Sequence, residues 1–304
     1  MKRNLIVTGA HGFVAGSVLA EAGDDWEVHA VSRGQGPERR ENRHWHICDS
    51  LVPGELEKVF RKVKPDAVIH TAALADIDFC QAHPELARSV NVDLTRSLTN
   101  LCGETDARLI FCSTDTIFDG EHAPYKEEDP PGPVNVYAET KVEAERIVSR
   151  LGAQAVIARP SLVAGLARGT GPGAGNSFLA RMIGSLKEGR TVGATEHEIR
   201  TPVDVITLGR ALLELATHNH AGIFHLAGLS RLSRLELARK IAERFGFSTQ
   251  LVVAQPAAAT PGRAARPRDV SLAVGKARGT LKTPMRTLDE GLSLILETRG
   301  KSAD

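Results

Sequence analysis

Tyr137 and Lys141 stand four residues apart in "VNVYAETKVEAERI", a spacing that puts two side chains on one side of an α-helix. At ~100° per residue, Tyr137, Lys141, Ala144, Val148 and Leu151 fall along one stripe, and Glu139, Glu143, Arg146 and Arg150 fall opposite. The pair therefore continues the apolar stripe. A lysine there is costly unless its ammonium meets a partner or a ligand. A free tyrosine titrates near ~10, too high for efficient proton transfer at neutral pH. A nearby cation favours the tyrosinate, so Lys141 is expected to lower the pKa of Tyr137. The plain alternative is a lysine that snorkels past the ring to solvent.

A proton donor of this kind needs a carbonyl to act on. "RLIFCSTDTIFDG" reads as a buried strand ending at Ser113, Thr114 and Asp115. The carboxyl ends of parallel strands face the ligand crevice. A hydroxyl there can donate to a carbonyl oxygen and hold it beside the tyrosine, although the same residue types also favour turns.

A third element supplies a cofactor site. "IVTGAHGFVAGSVLAEAG" joins a strand to a helix and carries Gly9, Gly12 and Gly16. Glycine permits the tight turn and the close approach of backbone to a diphosphate, while the helix start, at Phe13 and Val14, supplies amide donors. The pattern is T-G-x-x-G-x-x-A-G, with Ala15 in the position that needs only close helix–strand packing. At the end of the next strand stand Ser32 and Arg33, where an NAD site would show an acid. A cation suits a 2′-phosphate, so NADP(H) is favoured and NAD(H) is left open.

These pieces sit in a chain of alternating strand-like and helix-like stretches. "NLIVT", "WEVHAVS", "DAVIH", "ARLIFCS", "AQAVIARP" and "GIFHLAG" read as strands. Helices are expected near 12–22, 53–62, 84–102, 177–188, 235–245 and 288–298, besides that of Tyr137. The fold class is α/β: a Rossmann-type doubly wound parallel sheet with a smaller mixed α/β substrate-binding lobe. The dinucleotide-binding domain is placed at 1–160 and 199–228, and the substrate-binding lobe at 161–198 and 229–304.

The 304 residues suffice for a sizeable core. Lys and Arg number 38 against 37 for Asp and Glu, a net charge of +1, which gives no reason to expect nucleic acid or an anionic membrane as partner. No apolar run has the length of a membrane span. Cys48, Cys80, Cys102 and Cys112 form no C-x-x-C pair, which fits a reducing cytoplasm better than a disulfide framework. His44 and His46, or His218 and His220, lack Cys or carboxylate at ligand spacing, so no metal site is expected.

Together, T-G-x-x-G at Thr8–Gly12, "STD" before "IFDG" and Y-x-x-x-K at Tyr137–Lys141 identify a resemblance to the extended short-chain dehydrogenases/reductases. Within them the chain is most similar to dTDP-4-dehydrorhamnose reductase and its sugar-nucleotide relatives, through "STDTIFDG", "HTAALADIDFC", "RTPVDV", "GIFHLAG" and "RPRDVSL". The resemblance implies NADPH-dependent reduction of the 4-keto group of a nucleotide-diphosphate 6-deoxysugar. Thr114 would bind the carbonyl, Tyr137 would protonate its oxygen, and Lys141 would tune Tyr137 and bind the nicotinamide ribose. Asp49 matches an acid that contacts adenine, and Ala72 and Ala73 match small residues against the cofactor. Asp115, Asn176, Arg200 and Arg266 fall where such proteins meet the sugar nucleotide. A homodimer is compatible with this family, and the oligomeric state is left open.

Two relatives of different chemistry stay in view: a sugar-nucleotide epimerase with bound NAD(P), and a non-catalytic NADP-binding regulator resembling that of methionine adenosyltransferase. Thr116 stands where related dehydratases carry a glutamate, which argues against dehydration. Cys80 replaces a usual acid, which puts a metal-supported dimer contact in doubt. "GTGPGAGNS" is expected to be a mobile loop over the substrate. Arg263, Arg266 and Arg268 are expected either to contact a diphosphate or to lie in a solvated linker.

Overall fold

Leu5, Ile6 and Val7 are all wholly buried. Successive side chains of a strand point to opposite faces, so a sheet built from such strands must be covered on both sides. The computed structural model, which describes residues 2–36, 42–168, 177–256 and 263–300, has this architecture. Strands are numbered along the chain. β1 (Arg3–Thr8), β2 (Trp26–Ser32), β3 (Arg43–Ile47), β4 (Ala67–His70), β5 (Arg108–Cys112) and β6 (Ala155–Pro160) come first. Four short strands follow, β7 (Val163–Ala164), β8 (Val192–Ala194), β9 (Ile199–Arg200) and β10 (Val203–Asp204). Then come β11 (Gly222–Leu226), β12 (Leu232–Ser233) and β13 (Val252–Ala254).

The main sheet has seven strands in the order β11-β6-β5-β4-β1-β2-β3, and every pairing in it is parallel. The winding reverses between β1 and β4, and the carboxyl ends of strands at such a point form a ligand crevice.

The helices are α1 (Phe13–Glu21), α2 (Glu55–Val63), α3 (Ile77–Ala82), α4 (Pro84–Arg88), α5 (Leu94–Thr105), α6 (Val136–Val148), α7 (Phe178–Lys187), α8 (Val205–Thr217), α9 (Arg234–Arg244), α10 (Gly275–Thr280) and α11 (Leu288–Gly300). Ala15 and Val18 of α1 and Leu208 and Leu212 of α8 share a core with Leu5 and Val7. Phe60 of α2, Leu98 of α5 and Val148 of α6 share the opposite core with Ile6. A third core joins Leu179 and Ile183 of α7, Leu237 and Ile241 of α9 and Leu292 and Ile295 of α11. Val270, Leu272 and Met285 pack into the first core, against the main sheet.

Two local features depart from expectation. The helix expected over 84–102 is α4 and α5 joined by a π-helical turn at Ser89–Asp93. That wider turn carries Asn91, which is buried. Its Oδ1 accepts from Leu74 N at 2.8 Å, and its Nδ2 donates to Leu74 O and Thr140 Oγ1, both at 3.0 Å. π-turns of this kind often mark functional sites; this one ties the loop after β4 to α6. Second, "RHWHI" forms β3, an edge strand not anticipated. His44 pairs with Glu27, and His46 lies 3.0 Å from His29 of β2, so these side chains are occupied by cross-strand partners.

Candidate functional site

The loop after β1 and the loop after β4 touch. Gly9 has φ +67°, and a Cβ there would stand 2.7 Å from Ala72 Cα. Only glycine fits both the backbone conformation and the contact. Gly12 N donates to Gly9 O at 2.7 Å and closes the turn. Gly12 is also the N-cap of α1, and no side chain caps that end. The first-turn amides, Phe13 and Val14 among them, are thereby left for an anion. A dinucleotide diphosphate fits this cradle.

A buried relay supports it from behind. His70 lies 2.7 Å from Thr8 Oγ1 and 3.0 Å from Thr95 Oγ1, and Thr71 Oγ1 donates to Thr8 O at 2.8 Å. Burial holds His70 down to about 3, with the Lys141 charge adding to the effect, so the ring is neutral. Ala72 and Ala73 lie half-buried just beyond β4. At the end of β2, Ser32 is buried and donates to Gly34 O at 2.7 Å, while Arg33 is exposed. Asp49 is exposed beyond β3 and accepts from Leu51 N at 3.2 Å.

The tyrosine helix starts at Asn135, whose side chain accepts from Ala138 N at 2.9 Å. Such a cap stabilises a helix by about 1 kcal/mol. Tyr137 is 8% exposed and Lys141 2%, while Glu139, Arg146 and Arg150 are exposed; the inward stripe is real. Tyr137 packs against Cys80 and Ala87, so Cys80 sits behind the phenol and away from the surface. Lys141 does not snorkel out. Its Nζ donates to Cys112 O at 2.7 Å and lies 4.1 Å from the Phe111 ring centroid.

The expected electrostatics need correcting. Tyr137 is raised above its ordinary value, first by burial and then by Cys112, while a hydrogen bond with Thr114 works the other way. Lys141 is pushed down to about 8 by burial, with Cys112 and Glu145 opposing. Desolvation of the phenol therefore sets the direction of the Tyr137 shift in this state, with the Lys141 ammonium held by a carbonyl.

At the end of β5 the two hydroxyls part ways. Thr114 Oγ1 lies 3.1 Å from Thr116 Oγ1 and donates to Asp115 Oδ1 at 3.4 Å. Ser113 Oγ is taken by Glu145 Oε1 at 2.5 Å. Asp115 Oδ2 accepts from Ser161 Oγ at 2.7 Å and lies 3.8 Å from Arg200 Nε. Burial raises Asp115, and Arg200 opposes the shift. Arg200 is buried and also donates to Ile199 O at 2.7 Å and Pro267 O at 3.3 Å.

Arg266 is paired with Asp78 of α3 at 2.9 Å, and Arg263 with Glu198 at 2.7 Å, so neither is a freely solvated linker residue. Arg268 is exposed. Asn176 and nearly all of the "GTGPGAGNS" loop lie outside the described residues.

Sequence reasoning missed several groups here. A cavity of about 170 Å³ is lined by Phe178, Thr195, Glu198, Arg234 and Arg263, with others. The Arg234 guanidinium stands 4.0 Å from the Phe178 ring centroid, and burial pushes its pKa down to about 10. Thr195 Oγ1 is buried and without a hydrogen-bond partner among the described residues. These residues lie far apart in the chain, and only the fold assembles them. Glu145 and Arg159 were also missed, although their signal was present: an acid at the next i+4 step after Lys141, and a charge inside the apolar run "AVIARP".

Known proteins are similar to this chain over most of its length. The dTDP-4-dehydrorhamnose reductase of Mycobacterium tuberculosis is 30% identical over 307 residues, covering 98% of this chain and 94% of its own. Methionine adenosyltransferase 2 subunit beta of Bos taurus is 30% identical over 254 residues, covering 81% of this chain and 73% of its own. The crystal structure of dTDP-4-dehydrorhamnose reductase from Bacillus anthracis in complex with NADP has the same fold, with a TM-score of 0.87 over 98% of this chain and 100% of that one, at 23% identity. Residues 2–300 match the family described as RmlD substrate binding domain. That match takes in the glycine turn, the β5 strand end and the tyrosine helix alike, and the chain belongs to this family of extended short-chain dehydrogenases/reductases.

Proposed function

We propose that the protein is an NADPH-dependent reductase of the 4-keto group of a nucleotide-diphosphate 6-deoxysugar. The observation that carries this is the meeting of Thr114 and Tyr137, both buried, beyond β5, with Lys141 one turn further along α6 and bound to the Cys112 carbonyl of the same strand end. The uncapped Gly9–Gly12 turn opens onto the same carboxyl edge of the sheet. NADP(H) is favoured because Ser32 and Arg33 offer a hydroxyl and a cation, and residues 32–36 contain no acid. NAD(H) is the alternative cofactor.

NADPH held by the Gly9–Gly12 turn and the start of α1 would supply the hydride for the carbonyl carbon. Thr114 holds the carbonyl oxygen, and Tyr137 gives that oxygen its proton. A phenol whose pKa is raised holds its proton at neutral pH but is a weaker acid, so donation depends on stabilising the phenolate that forms. Lys141 then stabilises the phenolate until solvent restores the proton. Thr116 offers no carboxylate for water loss, so reduction suits the triplet Thr114-Asp115-Thr116 better than dehydration. Asp115, Arg200 and the Arg234–Arg263 cavity would meet the sugar nucleotide, with Asn176 and Arg266 nearby. In this reading 1–160 and 199–228 bind the cofactor, and 161–198 and 229–304 bind the substrate. The third core supports that division in part: it also takes in Val205 and Ile206, and the segment from Val270 to Met285 packs into the first core instead. A cytoplasmic homodimer belongs to the same reading. No helix among the described residues is long and apolar enough to cross a membrane, and all four cysteines are free.

The test is to mix the protein with NADPH and a dTDP-4-keto-6-deoxy sugar and follow absorbance of the reduced cofactor. Net oxidation supports the reductase. Sugar isomerisation without oxidation makes it an epimerase. Cofactor binding without turnover on a range of keto sugars makes it a regulator, the reading favoured by its likeness to the methionine adenosyltransferase subunit.

A further inference from the structure

Glu145 follows Lys141 on α6 by the same four-residue step that separates Lys141 from Tyr137. All three side chains are buried, Glu145 being 6% exposed. A buried carboxylate is expensive unless it is paired. Arg159, 2% exposed at the end of β6, donates to it from Nε at 3.0 Å and from Nη2 at 2.7 Å. Ser113 donates to its Oε1 at 2.5 Å. Ser113 stands between Cys112, whose carbonyl takes the Lys141 ammonium, and Thr114. One carboxylate therefore anchors the strand end that presents both atoms the site uses. A buried ion pair is no more stable than a well-packed apolar pair of similar volume, and often less so. Two buried charges beside the reacting groups need a reason other than stability.

Building on the reductase reading, we propose that Glu145 is a positioning residue of the reaction: it holds the Cys112–Thr114 strand end through Ser113 and keeps the Lys141 ammonium charged beneath Tyr137. The titratable groups that interact electrostatically with Lys141 are Cys112 from β5, Glu145 from α6 and His70 from β4, and Tyr137 lies one turn away on the same helix. Burial keeps His70 neutral and pushes the Cys112 thiol up, so neither carries a charge at neutral pH. Glu145, ion-paired to Arg159, is the carboxylate among these groups that opposes the desolvation of Lys141.

The experiment follows Lys141 directly, by NMR of protein carrying 13C-labelled lysine, with the resonance assigned by its loss in Lys141→Met. Glu145→Gln removes the charge and keeps an oxygen for Ser113 and Arg159. In that variant Lys141 should titrate about one pH unit lower than in the unaltered protein, and the alkaline limb of kcat should move with it. Glu145→Asp should restore the titration. Ser113→Ala should lower kcat about tenfold, some 1.4 kcal/mol of barrier, without moving the titration. Should Glu145→Gln fail to fold, because Arg159 is left buried without a counter-charge, Glu145→Gln/Arg159→Gln leaves neither charge alone and should show a smaller shift in the same direction, since the opposing Arg159 charge is removed with the carboxylate. An unmoved Lys141 titration in either folded variant overturns the inference. A protein that reduces no keto sugar yet shows the shift would remove the reductase reading and leave the control of Lys141 by Glu145 standing.

Discussion

The ammonium of Lys141 is held at 2.7 Å by the carbonyl oxygen of Cys112, one helical turn from the phenol of Tyr137. The cation is therefore engaged by the backbone in this state, and the proton donor before reaction is a neutral, buried phenol. Replacing Tyr137 by Phe removes that proton and little else from the site. The expected result is a fall in kcat of about 10²–10⁴-fold. Affinity for NADPH, read by fluorescence titration, should change by less than about twofold, roughly 0.4 kcal/mol. Full turnover in Tyr137→Phe would remove the acid role.

The same lysine sets a pH limit. Burial brings Lys141 from 10.5 down to about 8. Its charge, on which phenolate stabilisation depends, is lost above that value. The kcat/KM for NADPH, which reports the free enzyme, should therefore fall with an apparent pKa near 8. Stability moves the other way. Between about 8 and 10.5 the unfolded lysine still holds a proton that the folded one has lost. Unfolding then takes up a proton, and this residue's contribution to stability rises with pH across the window. Melting curves at pH 8 and pH 9.5, set beside the rate profile, separate the two effects. Activity unchanged to pH 10 would contradict the assignment.

How much of this was readable in the sequence depended on burial. β1 and β4–β6 are buried on both faces, so they appear as short apolar runs, and β11 as a weaker one. α6 declared itself through the contrast between its Tyr-Lys stripe and its Glu/Arg side. β3 could not be found that way. It is an edge strand of half-buried and exposed residues, and its His44 and His46 are polar residues chosen for partners on β2 that no local pattern reveals. The site divides along the same line. The glycine turn, Thr114, Tyr137 and Lys141 follow local spacing rules. Asn91, Arg234 and the Glu145–Arg159 pair act through contacts between distant segments. Glu145 was nonetheless within reach, since at ~100° per residue it falls about 80° from Tyr137 and adjoins the buried stripe.

Cofactor choice should turn on Arg33. It is exposed at the end of β2, beside the buried Ser32, where a 2′-phosphate would be met by a guanidinium. Arg33→Ala should weaken NADPH about tenfold or more, near 1.4 kcal/mol, and leave NADH almost unaffected. Dissociation constants for the two cofactors, measured side by side, check this. Equal loss for both would show that Arg33 does not read the phosphate.

The Gly9 turn offers a test of the cradle itself. Gly9→Ala forces a side chain into a left-handed conformation, φ +67°, and drives its Cβ to 2.7 Å from the Ala72 backbone. The loops after β1 and β4 must then separate, and the amides at the start of α1 move with them. Gly189→Ala is the matched control: its φ of +69° is nearly that of Gly9, but nothing lies within 4 Å of the added atom. Both variants should lose about 1–2 kcal/mol of stability from the backbone alone. Only Gly9→Ala should also lose NADPH affinity, by about tenfold or more. If the two variants bind NADPH equally well, the contact between Gly9 and Ala72 does not shape the cofactor site.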